Sequence, residues 1–410
     1  MTGLKVLQVN TVCTYGSTGR NAVEIAAQLR QYDVETRICY GQKTSTYADA
    51  VRFGLTCEKQ LHSFLSRLTG LQGVYSVFGT RALIKQIETF QPDVIHLNNL
   101  HGNYLNIPML FDCIAKRNLP VVYTVHDCWA FTGSCAHYVA AGCTRWKNGC
   151  GDCPQKHCYP PSWFSDRSAK MYKIKKRAYD KVNNLTLIAV SDWIAGELRQ
   201  SMLGTREIVR IYNWVDTEVF SPKADTTVLE KYGISSAQKY ILGVCGKWSE
   251  AKGIQDWMEL VKRLPASVSV VLIGKGDAVQ IPAELQNRVR LIPYVDDAKT
   301  LAAFYSGAEA FLNLSAAESF GKTTAEALCC GTPVIVYNTT ACPELVGDGC
   351  GSVVPLHDVG AVADAVQTVL QNGKASYSAS CRAFGLKNFN KEDNIAAYLE
   401  VYQKALEKQR

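Results

Sequence analysis

The chain has 410 residues, of which 47% are hydrophobic and 20% are charged, and its formal net charge at pH 7 is +7. This length exceeds one ordinary hydrophobic core and predicts two domains. The net charge is modest for the length and gives no indication of nucleic-acid binding, and no stretch is apolar enough to span a bilayer. The N-terminal sequence MTGLKVLQVN enters a strand pattern directly, without the segments of a signal peptide, so we expect a cytoplasmic protein.

Short apolar runs alternate with helix-length segments through the first half of the chain, which is typical of a parallel α/β domain. Gly16 and Gly19 lie in a loop after the first run, and this loop leads into a predicted helix. A polar segment containing Pro222 follows the last run, so we place the first domain at 1–215. The predicted strands are KVLQVN, VETRICY, DVIHL, PVVYTV, LTLIAV and EIVRIY.

The second half repeats the alternation and predicts a second domain over 216–385. Residues 386–410 carry apolar side chains at helical spacing and predict a C-terminal helix. The expected fold is therefore α/β, with two Rossmann-like, doubly wound parallel-sheet domains whose strand ends face an interdomain cleft. The strands predicted in the second half are KYILGVCG, VSVVLIG, RVRLIPY, EAFLNL, TPVIVY and CGSVVP.

The stretch AESFGKTTAEAL contains a Gly-Lys-Thr triplet like the one that ends the phosphate loop of nucleotide hydrolases. The full loop requires a glycine where this chain has Ala316, and the Ala316 methyl group would crowd a backbone that curls around phosphates. The same region contains two carboxylates. Glu318 lies in the loop, and Glu326 lies about two turns into the helix predicted to follow. A P-loop NTPase remains an alternative at this point.

Several segments occur in an order that resembles one enzyme family. They resemble retaining glycosyltransferases of the GT-B architecture. The segments in the second half are GVCGKWSEAKG, LIGKGD, RLIPYV and LNLSAAESFGKTTAEALCCGTPVI, and those in the first half are STGRNAVEIA, VVYTVHD, AVSDWIAGEL and IYNWVDTEVF. The resemblance is to family 4 (group 1), of the capsule and exopolysaccharide type, and it covers nearly the whole chain. The family usually carries arginine where this chain has Lys247. A guanidinium that can donate two parallel hydrogen bonds is therefore replaced by an ammonium, which acts as a point charge.

The resemblance implies a nucleotide diphosphate sugar as the donor and no cofactor for catalysis. Glu326 is the candidate to accept hydrogen bonds from the ribose diol, and Glu318 is expected to face the sugar hydroxyls. The amides of Phe320 and Gly321, which open the helix, are expected to bind the diphosphate.

Positive charge for the same diphosphate would come from three lysines. Lys247 and Lys252 follow the first strand of the second domain, and Lys322 lies at the start of the helix. Departure of the nucleoside diphosphate builds negative charge in the transition state, which these side chains would stabilise.

In the first half, His126 directly follows a predicted buried strand, at the edge where the cleft is expected. The resemblance implies that this histidine contacts the donor sugar. Asp127 is expected to orient His126 or to touch the acceptor, or else to cap the next turn. Gly19 would let the backbone approach the diphosphate or the donor sugar.

Six of the sixteen cysteines lie between Cys128 and Cys158, in a predicted insertion at about 128–160. The spacing predicts either a structural zinc or a set of free thiols. A zinc would supply the folding energy that so small an apolar content lacks. The expected metal ligands are Cys135, Cys143, Cys150 and Cys153.

The segment 167–181 combines an apolar stripe with a basic one, which suits either peripheral contact with an anionic membrane or a helix packed on the sheet with a solvated basic face. The predicted function is transfer of a sugar to a glycan or lipid-linked acceptor, in the cytoplasm or on the inner face of the membrane. The alternatives are a nucleotide-sugar epimerase or phosphorylase on the same fold, the NTPase, and a noncatalytic nucleotide- or glycan-binding protein.

Overall fold

The structure is a computed structural model that describes residues 3–235, 237–276 and 279–409. The chain forms two compact units, Met1–Ile211 together with Ile395–Arg410, and Tyr212–Asn394. The sequence placed this boundary four residues later, at 215, and treated 386–410 as one helix. The structure instead breaks the helix near Asn390, and the chain from Ile395 onward belongs to the first unit.

The first unit contains a sheet of seven parallel strands in the order β3-β2-β1-β4-β5-β6-β7. The six strands predicted in this half are all present. The additional strand, β3, is a half-exposed three-residue edge strand, which is too short to give a hydrophobic pattern. The strands are β1 (Lys5–Val12), β2 (Glu35–Gln42), β3 (Ala50–Arg52), β4 (Val94–Leu97), β5 (Val121–Val125), β6 (Leu185–Ala189) and β7 (Glu207–Arg210).

Six helices connect these strands. Strands β4, β5 and β6 are buried at every position, because helices cover both faces of a parallel sheet, and this explains their continuous apolar sequences. The helices are α1 (Gly16–Gln31), α2 (Thr56–Thr69), α3 (Val77–Phe90), α4 (Ile107–Lys116), α5 (Ser168–Asp180) and α6 (Asp192–Arg199).

The second unit contains six parallel strands in the order β10-β9-β8-β11-β12-β13, and all six were predicted. They are β8 (Tyr240–Lys247), β9 (Ser269–Lys275), β10 (Val289–Ile292), β11 (Ala310–Asn313), β12 (Val334–Tyr337) and β13 (Gly351–Val354). The helices are α7 (Ile254–Arg263), α8 (Ala298–Gly307), α9 (Lys322–Cys329), α10 (Val359–Asn372) and α11 (Ala375–Phe389).

The last helix, α12 (Lys391–Glu407), returns the chain to the first unit. The Tyr402 hydroxyl lies 2.8 Å from Nδ1 of the buried His96, and the Asn184 amide donates to the Ala405 carbonyl at 2.6 Å. These contacts fix α12 beside β4 and β6. No helix in the described parts of the chain is long and apolar enough to cross a membrane.

The strand order reverses direction between β1 and β4 in the first sheet and between β8 and β11 in the second. In open parallel sheets, ligands bind outside the carboxyl ends of the strands at such a switch point. The loops after β1, β4 and β5, and those after β8 and β11, are therefore the places to look for a site.

Candidate functional site

An ion pair joins the loops that follow β8 and β11. Lys252 ends a short 3-10 turn, and its Nζ atom lies 2.5 Å from Oε1 of Glu318. Gly253 follows with φ +70°, and a Cβ there would meet the Leu314 carbonyl oxygen at 2.2 Å, so only glycine permits this close approach of the two loops. Two residues separated by 66 positions in sequence thus form one charged centre.

Backbone contacts hold this centre in place. The Ala316 amide donates to the Ala251 carbonyl at 3.0 Å, and the Glu318 amide donates to the Thr340 hydroxyl at 2.9 Å. Burial disfavours the charge on Lys252, but the Glu318 carboxylate outweighs burial, and the pKa of Lys252 is raised. Lys252 therefore stays protonated near neutral pH.

Helix α9 begins beside Glu318. Gly321 is its N-cap residue with φ +96°, a conformation that other residues adopt only with strain, and Lys322 is the first helical residue. The amide groups at the start of a helix attract anions, so this end of α9 suits a phosphate. The Phe320 ring, by contrast, is buried against Tyr212 and Phe389 and belongs to the core.

Glu326 lies on α9 and is only 8% exposed. Its Oε2 atom accepts a hydrogen bond from the hydroxyl of the fully buried Tyr305 at 3.0 Å. The sequence did not indicate Tyr305, because a tyrosine in an apolar helix pattern is read as core. Glu326, which the sequence assigned only to the ribose diol, thus also has a structural partner in the core.

Lys247 is the last residue of β8 and is exposed, next to an irregularity in the pairing of β8 with β9. The two predicted lysines of this loop therefore differ, since Lys252 is held by Glu318 while Lys247 extends into solvent. Lys322 is half-buried at the start of α9. All three stand after β8 or β11, on either side of the switch point.

In the first unit, His126 directly follows β5. Its Nε2 atom lies 3.0 Å from the Asn98 amide oxygen, which can only accept, so Nε2 carries a proton and Nδ1 has the lone pair. Burial lowers the pKa of His126 to about 4, so the ring is neutral at pH 7. Asn98, which follows β4, was not identified from the sequence.

Asp127 forms a network that the sequence missed. Its Oδ2 atom accepts from Nε2 of His101 at 2.7 Å, its Oδ1 atom accepts from the Trp129 amide at 2.9 Å, and Nδ1 of His101 lies 3.1 Å from the Tyr159 hydroxyl. Burial opposes the carboxylate charge, but His101 and these hydrogen bonds outweigh it and lower the pKa of Asp127 to about 2. The run of polar residues after β4, NNLHGN, was the available signal.

Three histidines, two of them buried and His126 half-buried, make the first unit sensitive to acid. Burial lowers the pKa of His62 and His126 to about 4 and that of His96 to about 3, from an ordinary value of 6.5. Between pH 6.5 and 4 the unfolded chain binds protons that the folded unit does not, so stability falls as the pH falls through this window. Each histidine contributes up to about 1.4 kcal/mol per pH unit.

We therefore expect hydrogen exchange in the first unit to speed up strongly between pH 6.5 and 4, after correction for intrinsic rates. The second unit serves as the control, because its histidine, His357, is exposed and lies 2.8 Å from Asp256. Equal loss of protection in both units would contradict this prediction.

Gly19 lies within α1 and packs that helix against β1. A Cβ at this position would meet the Val12 side chain at 3.1 Å and the Thr14 amide nitrogen at 3.3 Å. The structure thus gives Gly19 a packing reason, and its expected approach to the donor stays a prediction.

The predicted zinc site is corrected. Within the described residues, no group of three or more His, Cys, Asp or Glu side chains is arranged to hold a metal ion. Cys150 Sγ instead accepts from the Gly133 amide at 3.0 Å, and Cys135 hydrogen-bonds to Cys153, which lowers the pKa of Cys153 to about 7. Cys143 is likewise a free thiol, like every other cysteine of the chain.

Aromatic side chains pack together within the insertion. The Trp146 ring lies 5.1 Å from Phe131 and 5.0 Å from Tyr138, and Trp146 is 1% exposed. The apolar content of the insertion is easily underestimated from the sequence, because the aromatic residues of the insertion are scattered among glycines and cysteines.

The apolar stripe predicted on 167–181 faces inward. Met171 and Ala178 on α5 are buried in the protein, so they are not available to a membrane. Lys175 is buried as well: its Nζ donates to the Trp129 carbonyl and lies 3.8 Å from the centre of the Trp129 ring. Of the basic stripe, Lys170, Lys173 and Arg177 are exposed.

Comparisons with known proteins agree with the two-unit division. Residues 18–219 match the profile described as Glycosyltransferase Family 4, and residues 239–372 match the profile described as Glycosyl transferases group 1. The chain is 25% identical over 229 residues to N-acetyl-alpha-D-glucosaminyl L-malate synthase of Bacillus anthracis, covering 53% of this chain and 59% of that enzyme.

A second relative matches a longer part of the chain. It is an uncharacterized 41.2 kDa protein in the cps region of Klebsiella pneumoniae, and it is 24% identical over 327 residues, which cover 78% of this chain and 81% of the relative. Among solved structures, Anabaena Alr3699/HepE in complex with UDP is similar with a TM-score of 0.70 and 16% identity, covering 98% of this chain and all (100%) of that one. At this identity the likeness establishes the fold, which is GT-B.

Proposed function

The chain belongs to glycosyltransferase family 4 (group 1), and from that premise we propose that it moves a sugar, with retention of anomeric configuration, from a nucleotide diphosphate sugar to a glycan or lipid-linked acceptor. The observation that carries the proposal is the Lys252–Glu318 pair at 2.5 Å beside the start of α9, at the switch point of the second sheet. A cation, a carboxylate and a helix N-terminus at one place suit a diphosphate attached to a polyhydroxyl sugar.

Each group has a proposed partner on the donor. Lys247, Lys252 and the first amides of α9 bind the diphosphate, with Lys322 as a further cation. Glu318, oriented by Lys252, accepts hydrogen bonds from the sugar hydroxyls. The Glu326 carboxylate, which also accepts from Tyr305, accepts from the ribose diol. The structural relative HepE, which was solved with UDP and with UDP-glucose, supports this class of donor.

The proposed reaction is substitution on one face of the sugar. The bond between the anomeric carbon and the diphosphate oxygen breaks, and the acceptor oxygen bonds to the same face of that carbon. The acceptor proton passes to the departing phosphate oxygen. Lys252 and α9 stabilise the charge that develops on the leaving group, which is where preorganised charge accelerates a reaction most.

The first unit contributes the acceptor side. Neutral His126 offers Nδ1 as an acceptor for a hydroxyl of the donor sugar, and Asn98 holds the ring in that orientation. Asp127, ionised and bound to His101, follows His126 directly in the sequence, and its proposed role is to contact the acceptor. A putative colanic acid biosynthesis glycosyl transferase of Escherichia coli, 25% identical over 278 residues, supports a role in polysaccharide biosynthesis.

Transfer is expected to need no divalent cation, because Lys247, Lys252 and the start of α9 supply the positive charge that a metal would supply elsewhere. The measurement is the rate of nucleoside diphosphate release in EDTA and after addition of magnesium or manganese. A rate that vanishes in EDTA and returns with either ion would contradict this prediction.

A product assay separates the alternatives. A transferase consumes donor in proportion to glycosylated acceptor. An epimerase changes the donor sugar without releasing nucleotide, a phosphorylase requires phosphate, and a binding protein shifts its melting temperature with nucleotide while leaving the donor intact.

A further inference from the structure

Helix α2 has its polar side chains inside and its apolar side chains outside. Its buried residues are Lys59, His62 and Ser66, whereas Leu61, Phe64 and Leu68 are exposed. A surface helix normally shows the reverse arrangement. The spacing of the exposed residues, i, i+3 and i+7, places them on one stripe of the helix.

Hydrogen bonds fix this orientation. The Lys59 ammonium donates to the carbonyls of Gly41 and Phe53, the latter at 3.3 Å. The ring nitrogens of His62 lie 2.7 Å from the Ser76 hydroxyl and 3.1 Å from the Gly73 amide nitrogen. Rotating α2 to bury its leucines would leave the Gly41 and Phe53 carbonyls and the Gly73 amide without these partners, and unpaired buried backbone groups are costly. The outward apolar stripe is thus built into the unit.

A neighbouring loop extends the stripe. The Trp163 amide donates to the Arg67 carbonyl at 2.7 Å, and the Trp163 ring packs against Phe64 with 5.9 Å between ring centres. Phe164, which follows, is 70% exposed. We name this surface, formed by Leu61, Phe64, Leu68, Trp163 and Phe164, the α2 face.

Exposed basic side chains flank the α2 face. Arg67 and Arg167 are exposed beside it, and Lys170 follows one turn into α5. The nearby carboxylates are directed at backbone amides: Glu58 accepts from the Phe78 and Gly79 amides at 2.7 and 2.9 Å, and Asp166 accepts from the Cys153 amide at 2.7 Å. An aromatic and aliphatic centre with a cationic rim complements a bilayer interface that carries anionic headgroups.

We propose that the α2 face docks the protein on the surface of an anionic lipid bilayer, with the apolar side chains entering the interface and Arg67, Arg167 and Lys170 contacting phosphate headgroups. This surface replaces the apolar stripe of 167–181, which is buried. The α2 face is inferred from the contacts of its own residues. Only the reason for docking, access to a lipid-linked acceptor, rests on the proposed function.

A second copy of the chain fits the α2 face less well. Two copies that paired through the same surface would form an isologous contact, which brings equivalent residues of the two chains together. The arginines and Lys170 of one copy would then approach those of the other, while the carboxylates of Glu58 and Asp166 are engaged by backbone amides, and like charges at a contact oppose association.

Flotation with lipid vesicles tests the proposal. The intact protein should float with vesicles of phosphatidylcholine and phosphatidylglycerol and much less with phosphatidylcholine alone, and added salt should release it. The double variant Phe64→Ser, Trp163→Ser should lose at least about tenfold in bound fraction, since each ring contributes apolar burial. Arg67→Gln with Arg167→Gln should lose the preference for phosphatidylglycerol.

The matched control is Leu356→Ser, an exposed leucine of the second unit, which should bind vesicles like the unchanged protein. All variants should hydrolyse the donor in solution at the same rate as the unchanged protein. If none of these proteins hydrolysed any donor, the proposed function would be contradicted, but docking would not. Equal vesicle binding by the double variant, no binding by the unchanged protein, or a dimer that the double variant dissociates would each overturn the proposal.

Discussion

Replacing Lys252 by methionine is expected to lower kcat for sugar transfer by about 100- to 1,000-fold, the usual effect of removing one preorganised stabiliser of transition-state charge. Lys252 is held 2.5 Å from Glu318 at the start of α9, so its charge is fixed before the donor arrives. Methionine keeps most of the side-chain length but lacks the ammonium group and its hydrogen bond to Glu318. The KM for the donor should change much less than kcat, because the charge on the leaving group grows during the reaction.

The control for this variant is Lys262→Met. Lys262 also forms an ion pair with a glutamate, Glu259, at 3.3 Å, but on the exposed surface of α7. That variant should keep full activity, as exposed ion pairs contribute at most about 1 kcal/mol to stability. If Lys252→Met retained more than a tenth of the unchanged kcat, Lys252 would not be the stabiliser of the leaving group.

Glu326→Gln is expected to weaken donor binding by about 10- to 100-fold, the range for losing a hydrogen bond to a charged group. Glutamine still accepts from the Tyr305 hydroxyl, so the melting temperature of the unliganded protein should change little. Alanine would be a poorer test, because it leaves that buried hydroxyl without an acceptor. The measurement is the Kd of the nucleoside diphosphate by calorimetry.

Tyr305→Phe provides the complementary variant. It removes the internal hydrogen bond but keeps the carboxylate of Glu326, so it should lower the stability by about 1 kcal/mol and leave the Kd close to that of the unchanged protein. Equal weakening of nucleotide binding by Tyr305→Phe and Glu326→Gln would indicate that Glu326 serves the core rather than the ribose.

The sequence predicted the sheets because parallel strands covered on both faces are continuous apolar runs. The resemblance to family 4 glycosyltransferases also pointed to Lys252 and Glu318, which follow strands β8 and β11, where ligands of such folds bind. The contact between these two residues could not be predicted from the sequence, because it depends on Gly253, which lets two loops distant in sequence approach each other.

Other features depend on partners that only the folded chain brings together. His101 lies in the polar run after β4, but its role follows only from Asp127, Trp129 and Tyr159 around it. Lys175 belonged to a basic run, yet the Trp129 ring and carbonyl bury it. The inverted orientation of α2 could not be predicted from periodicity, since its polar residues find their acceptors on β2 and the loops before α3.

The anomeric configuration of the first product tests the central claim most directly. The protein is incubated with nucleotide diphosphate sugars of known configuration, with water as the acceptor, and the released sugar is followed by proton NMR before it equilibrates. The proposed function predicts release of nucleoside diphosphate together with a sugar that first has the same anomeric configuration as its donor. Appearance of the opposite anomer first, or binding of nucleotide without cleavage of any donor, would contradict it.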